Sequence, residues 1–266
     1  MTMSITPDLG YEQIYFERLE ETKSMVTLAT LLDFLDQGVG RGLSYREIMT
    51  EVYKEAESAN PRGVPTQTPE VSLASSVIRS NVKIMIYNII EFSITNLIRA
   101  IYDRIEDEHC SYAEVSEHLR AIWHRTRMHD ALSKPTANNN TAEQVSKKLL
   151  DHAVSNTTLR LNVRHAIAGG NLDGDKILQL FDTHGVSVHA SKSDYRASEF
   201  KDIKDRRNDL AHGSVSFEDA GSQTTTSELA ELLDHVDSFL SQLRKDVIDY
   251  LDAQGYRATQ RSSDKS

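Results

Sequence analysis

Ile84-Met85-Ile86-Tyr87-Asn88-Ile89-Ile90-Glu91 lies inside the segment whose reading decides the fold. From Ile78 through Val82, Met85, Ile86, Ile89, Ile90, Ile94, Leu97, Ile98 and Ile101 to Ile105, apolar residues recur at steps of three and four. That period predicts one helix over 71–107, apolar on most of its circumference and so enclosed by neighbours. Asn88, Glu91, Thr95 and Arg99 interrupt it on a single face. They read either as a thin solvent-facing stripe or as polar support for a nearby site.

Working outward, Ser44–Glu47, Ser111–Glu114, Thr141–Gln144 and Thr225–Glu228 each fit the S/T-x-x-E/Q capping box. Helices are expected near 11–37, 44–59, 71–107, 111–130, 141–153, 174–184, 194–212 and 226–254. Segments 60–65 and 133–140 read as loops, and Asp173 as the cap of the helix that follows it. Segment 157–171 is ambiguous: Leu159, Leu161 and Val163 alternate like a strand, while Gly169-Gly170 could equally end a helix. Leu229, Leu233, Val236, Leu240, Leu243, Val247 and Tyr250 form a heptad seam, read as core packing or as a self-complementary dimer surface. The fold class is all-α: a helical bundle with extra N-terminal helices, one domain over 1–255, and a polar tail, 256–266, expected to be disordered.

Composition narrows the function. The 266 residues carry a formal charge of -10, which argues against nonspecific nucleic-acid binding over the whole surface. The charge is uneven. Residues 1–36 hold seven acids against two bases, and 214–254 hold nine against two. Between His118 and His165, Arg120, Arg125, Arg127, Lys134, Lys147, Lys148, Arg160 and Arg164 face only Asp130, Glu143 and Asp151. This basic stretch is either a solvated helix surface or a path for an RNA backbone, with Arg125, Arg127, Lys147 and Lys148 as candidate substrate contacts. A lone Cys110 can form no internal disulfide and by itself no zinc site. The N-terminus has no signal-peptide pattern, and a cytoplasmic protein with no membrane partner is expected.

The chemistry concentrates in Arg207-Asn208-Asp209-Leu210-Ala211-His212, followed by Gly213. Neutral imidazole, with an ordinary pKa near ~6.5, suits removal of a proton from a ribose 2′-hydroxyl. A planar guanidinium can meet two phosphate oxygens at once. Five steps of ~100° place Arg207 and His212 about 140° apart on a regular helix. Three arrangements would bring them together: a helix that stops at Gly213, a long arginine arm wrapping round, or contributions from two chains. Asn208, four before His212, shares its face and could orient the imidazole or the substrate.

This R-x4-H pattern resembles the signature of the HEPN superfamily, small α-helical proteins many of which are metal-independent ribonucleases. The 84–91 stretch, Gly170-Asn171-Leu172-Asp173 and Arg207 through Phe217 are similar to a stand-alone bacterial HEPN group linked to toxin–antitoxin systems and anti-phage defence. The likeness covers most of residues 10–250. It implies a HEPN-type bundle acting as a homodimer, with Arg207 and His212 of both copies lining one cleft. It further implies RNA as substrate, products ending in 2′,3′-cyclic phosphate and 5′-hydroxyl, and a cognate antitoxin or defence partner. Tyr87, Asn88 and Glu91 would be helix residues near the cleft, Asn88 and Glu91 supporting it. One subgroup has R-x4-H-x-Y, whose tyrosine a partner antitoxin nucleotidylates; here that position is Ser214, which makes such silencing doubtful.

Other signals are weaker. His118, His124 and His129 are spaced by six and five, so they share no helix face, and no H-E-x-x-H occurs. The 169–175 run lacks the ending of a P-loop. No metal and no cofactor are expected. The competing reading is a non-catalytic adaptor that binds RNA or protein through the 229–250 seam or the polar stripe.

Overall fold

The computed structural model describes residues 10–36, 71–133, 142–167, 171–189 and 196–259, with isolated positions between 47 and 58. Its elements are α1 (Glu12–Asp36), α2 (Val71–Asp107), α3 (Glu117–Ser133), α4 (Ala142–Val154), α5 (Val163–Ala166), α6 (Gly174–Thr183), α7 (Ala197–His212), α8 (Phe217–Ser222) and α9 (Thr226–Asp252). Among the described residues no strand forms, and β pairing is limited to two isolated bridges. The fold is all-α, as predicted. The helix expected over 44–59 lies largely outside the described residues.

The sequence predicts one domain over 1–255; the chain groups into two compact units built from distant segments. The motif unit comprises 14–89 and 201–236, and the companion unit 1–13, 90–200 and 237–266. Helix α2 contributes its first half to one and its second half to the other.

In the motif unit, Val82, Ile86 and Tyr87 of α2 are wholly buried, with Ile203 of α7 and Leu229 of α9. Each such aliphatic side chain contributes about 1.5–3 kcal/mol by leaving water. Polar ties fix the helices around this core. Asp33 of α1 accepts from Ser75 Oγ at 2.5 Å and from Arg79 Nη1 at 2.7 Å. Arg79 Nε also donates to the Gly221 carbonyl at 3.0 Å, and Ser80 bonds the Phe217 carbonyl. Helix α8 approaches α2 so closely that a Cβ on Gly221 would lie 1.7 Å from the Ser76 carbonyl oxygen.

In the companion unit, Ile94, Leu97, Ile98, Ile101 and Ile105 of α2 have no exposed surface. By length and composition α2 could cross a membrane, and half of its most apolar window is buried within the protein. Tyr102 and Tyr250 both bond His184, through Nε2 at 2.8 Å and through its carbonyl at 3.0 Å. Buried Asp246 accepts from the His189 amide at 2.8 Å and from Gln242 Nε2 at 3.0 Å. All seven seam residues of α9 are buried, so the seam is spent inside the fold rather than left as a free dimer surface.

Three local expectations change. The Ser111–Glu114 box forms, Glu114 accepting from both the Ser111 amide and hydroxyl at 2.8 Å, yet the helix starts only at Glu117. Ser111 and Val115 are held in bridges to Thr158 and Arg257, which keep the segment out of helical geometry. The ambiguous segment is neither strand nor long helix: Leu159 donates to the Cys110 carbonyl at 2.8 Å, and a single turn, α5, follows. The tail predicted to be disordered from 256 is packed at its start. Tyr256 has no exposed surface, its hydroxyl donates to Glu108 at 2.7 Å, and Arg257 pairs with the same carboxylate at 2.6 Å. Those two donors hold the Glu108 carboxyl below the usual range, the Tyr256 hydrogen bond contributing most.

Candidate functional site

Helix α7 ends where the sequence predicts. Gly213 adopts φ 70, its amide donates to Leu210 at 3.2 Å, and the Ser214 amide reaches back to Asp209 at 2.9 Å. This pair of bonds is a Schellman stop, which needs a left-handed residue that glycine supplies without a Cβ penalty. His212 is therefore the last helical residue.

Arg207 sits one and a half turns earlier and is half-buried. Its guanidinium lies 5.3 Å from the centroid of the Tyr87 ring, within cation–π range. Nη1 donates to Asn208 Oδ1 at 3.1 Å. Both partners are neutral, and among the described residues no carboxylate pairs with Arg207. Its neighbour Arg206 shows the contrast: it bonds Gln223 and lies 3.8 Å from Asp202. Asp202 in turn takes Lys83 at 3.2 Å, tying α7 to α2 one turn from Tyr87. The helix carrying the motif is thus held by ionic contacts, while among the described residues the motif's own cation meets no carboxylate.

His212 is exposed, and no hydrogen bond joins its ring to another described residue. Both residues lie in one continuous helix, so the 140° separation expected from the spacing stands within a single chain. Asn208, predicted to orient His212 or the substrate, accepts from Arg207.

The remaining candidates divide between the two units. Asn88 belongs to the motif unit and is exposed; Glu91 belongs to the companion unit and is half-buried. With Arg99 exposed as well, the stripe is at least partly a solvent-facing edge. Arg125, Arg127 and Lys147 are exposed residues of α3 and α4 in the companion unit; Lys148 is helical, its side chain outside the described atoms. Arg127 also lies 5.8 Å from the Trp123 ring. What sequence reasoning missed is the contact of Tyr87 with Arg207, together with the Lys83–Asp202 tie. A lysine between Val82 and Ile84 on an otherwise apolar face was the available signal for the latter.

No curated protein and no solved structure gives a significant match to this chain. A family model does, that of the MAE_28990-like HEPN proteins, over residues 16–256. This span takes in the central helix, the R-x4-H motif and all of α9: the chain belongs to the MAE_28990-like HEPN family.

Proposed function

We propose that this protein is a HEPN-type endoribonuclease that cleaves RNA without a metal ion, serving as a toxin or anti-phage defence effector. The observation that carries this reading is the state of Arg207: half-buried, supported on the Tyr87 ring, hydrogen-bonded only by an amide oxygen and free of any carboxylate among the described residues. A guanidinium held that way has its charge available for a phosphodiester. His212, exposed at the helix end, can take the proton of the attacking 2′-hydroxyl. As the 2′-oxygen bonds to phosphorus, the bond to the 5′-oxygen breaks, leaving a 2′,3′-cyclic phosphate and, after protonation, a 5′-hydroxyl. Negative charge that builds on the phosphate oxygens meets Arg207.

The two side chains sit on different faces of α7, so the proposal includes a homodimer in which the arginine of one copy and the histidine of the other complete each site. Burial of the α9 seam removes one surface on which the adaptor reading depended.

The test is RNA cleavage by the purified chain in EDTA, with end analysis of the products. Wild type should cut and leave cyclic phosphate ends. His212→Ala and Arg207→Ala should each be inactive with unchanged circular dichroism, and mixing the two inactive variants should restore some cleavage. Cutting that requires added divalent ion, or that survives both substitutions, defeats the proposal.

A further inference from the structure

The companion unit contains an open cleft of about 540 Å³ between α3, α5 and α6, and its lining has a charge opposite to that of the chain. Arg125, Lys176 and His165 line it, and among the described residues no aspartate or glutamate does. In a protein of net charge -10, the described lining of this concave surface carries two permanent cations and no acid. Arg125 and Lys176 are both exposed, and among the described residues neither has a carboxylate partner. Lys176 is positioned: its Nζ donates to the Asn171 carbonyl at 3.1 Å, while its amide is capped by Asp173 at 3.1 Å. One ammonium hydrogen bond is thereby satisfied by a neutral oxygen, and the charge stays available. Ile122, Leu172 and Leu180 add apolar side chains to the same lining. Two cations, apolar side chains in the same lining and a volume in the range of small-molecule sites suit a ligand that is part phosphate and part flat or apolar body.

We propose that this cleft binds a nucleotide, its phosphate on Arg125 and Lys176 and its nucleoside against Ile122, Leu172 and Leu180, whether as a free mononucleotide or as one nucleotide of an RNA strand. Phosphate favours such a pair of donors because charge-assisted bonds are stronger than neutral ones. The inference does not depend on the nuclease reading, because every lining residue belongs to the companion unit, whereas Arg207 and His212 belong to the motif unit.

The experiment is calorimetric titration of the full chain with adenosine 5′-monophosphate, adenosine, and a 2′-O-methyl oligoribonucleotide that cannot undergo 2′-hydroxyl attack. Adenosine 5′-monophosphate should bind saturably and adenosine more weakly. The double variant Arg125→Ala/Lys176→Ala should weaken the nucleotide by about tenfold or more, as expected when charged hydrogen bonds are lost. Both positions are exposed, so the variant should keep the wild-type circular dichroism, and Arg125→Lys/Lys176→Arg should recover most of the affinity. Competition between the oligonucleotide and the mononucleotide would assign the cleft to an RNA strand; mononucleotide binding that the oligonucleotide leaves unaffected would assign it to a free ligand. Both outcomes support the cleft. Absence of saturable binding by both probes overturns the inference, as does a double variant that binds like wild type, or binding lost in Arg207→Ala instead. RNA cleavage by each variant, measured separately, shows whether the nuclease reading fails with it or stands alone.

Discussion

Acid should weaken this protein through one buried ring. His184 is 1% exposed. Its Nδ1 lies 2.7 Å from the Leu180 carbonyl, which can only accept, so Nδ1 carries the proton. Nε2 then accepts from the Tyr102 hydroxyl at 2.8 Å. Both ring nitrogens are satisfied in the neutral form, and charging would strand a cation in the core. Burial, the dominant cause, pushes the His184 pKa from its ordinary 6.5 down to about 4, with His118 adding a smaller push in the same direction and the Leu180 hydrogen bond opposing them. Unfolded, the ring gains its proton as pH falls through ~6.5; folded, it stays neutral until about 4. Between those values the unfolded state binds more protons, so stability present above pH 6.5 is lost as pH falls. A displacement of about 2.5 units at 1.36 kcal/mol each gives a loss of about 3 kcal/mol. The assay is urea unfolding from pH 7 to pH 4 for wild type and His184→Gln, whose amide can donate to Leu180 and accept from Tyr102. Other titrations largely cancel in the difference. Wild type should lose about 3 kcal/mol more than the variant over this range. A difference independent of pH, or an imidazole resonance of His184 that titrates near 6.5, would refute the reasoning.

Three further outcomes follow from contacts. Removing the ring beneath the motif arginine with Tyr87→Leu should cut RNA cleavage by about fivefold or more, the equivalent of a cation–π contact of about 1 kcal/mol, whereas Tyr87→Phe keeps most of it; steady-state cleavage rates decide. Gly221→Ala forces a methyl into the Ser76 backbone and should cost about 3 kcal/mol or more, read as a lower urea midpoint, because backbone rather than a flexible side chain must move. Tyr256→Phe should cost about 1–2 kcal/mol by leaving Glu108 with one donor fewer, and deletion of 256–266 should cost more; equal stability of all three chains would return that segment to an unpacked tail.

The sequence disclosed structure wherever the cause was local. The apolar period of 71–107 set α2, the Thr225–Glu228 box forms reciprocally at the start of α9, Asp173 caps α6, and Gly213 stops α7. It misled where a remote partner overrode a local signal. Ser111–Glu114 satisfies its box without starting a helix because Val115 pairs with Arg257, more than a hundred residues away in the chain. The polarity of 256–266 concealed Tyr256, which needs Glu108 to be buried. At the candidate site, Arg207 and His212 were legible from spacing and resemblance. The contact with Tyr87 was not: that residue lies 120 positions earlier, and the resemblance sets it near the cleft without giving it a partner.

The near-touching backbones at Gly221 and Ser76 carry a lesson for comparing relatives. The connection after the motif is pinned at a point that tolerates hydrogen alone, so residue 221 works as a gauge of the path between α7 and α9. A family member with any side chain at this place must route that connection differently. Where such a relative also keeps the arginine and histidine, their surroundings after the helix stop will not be interchangeable with those of this chain.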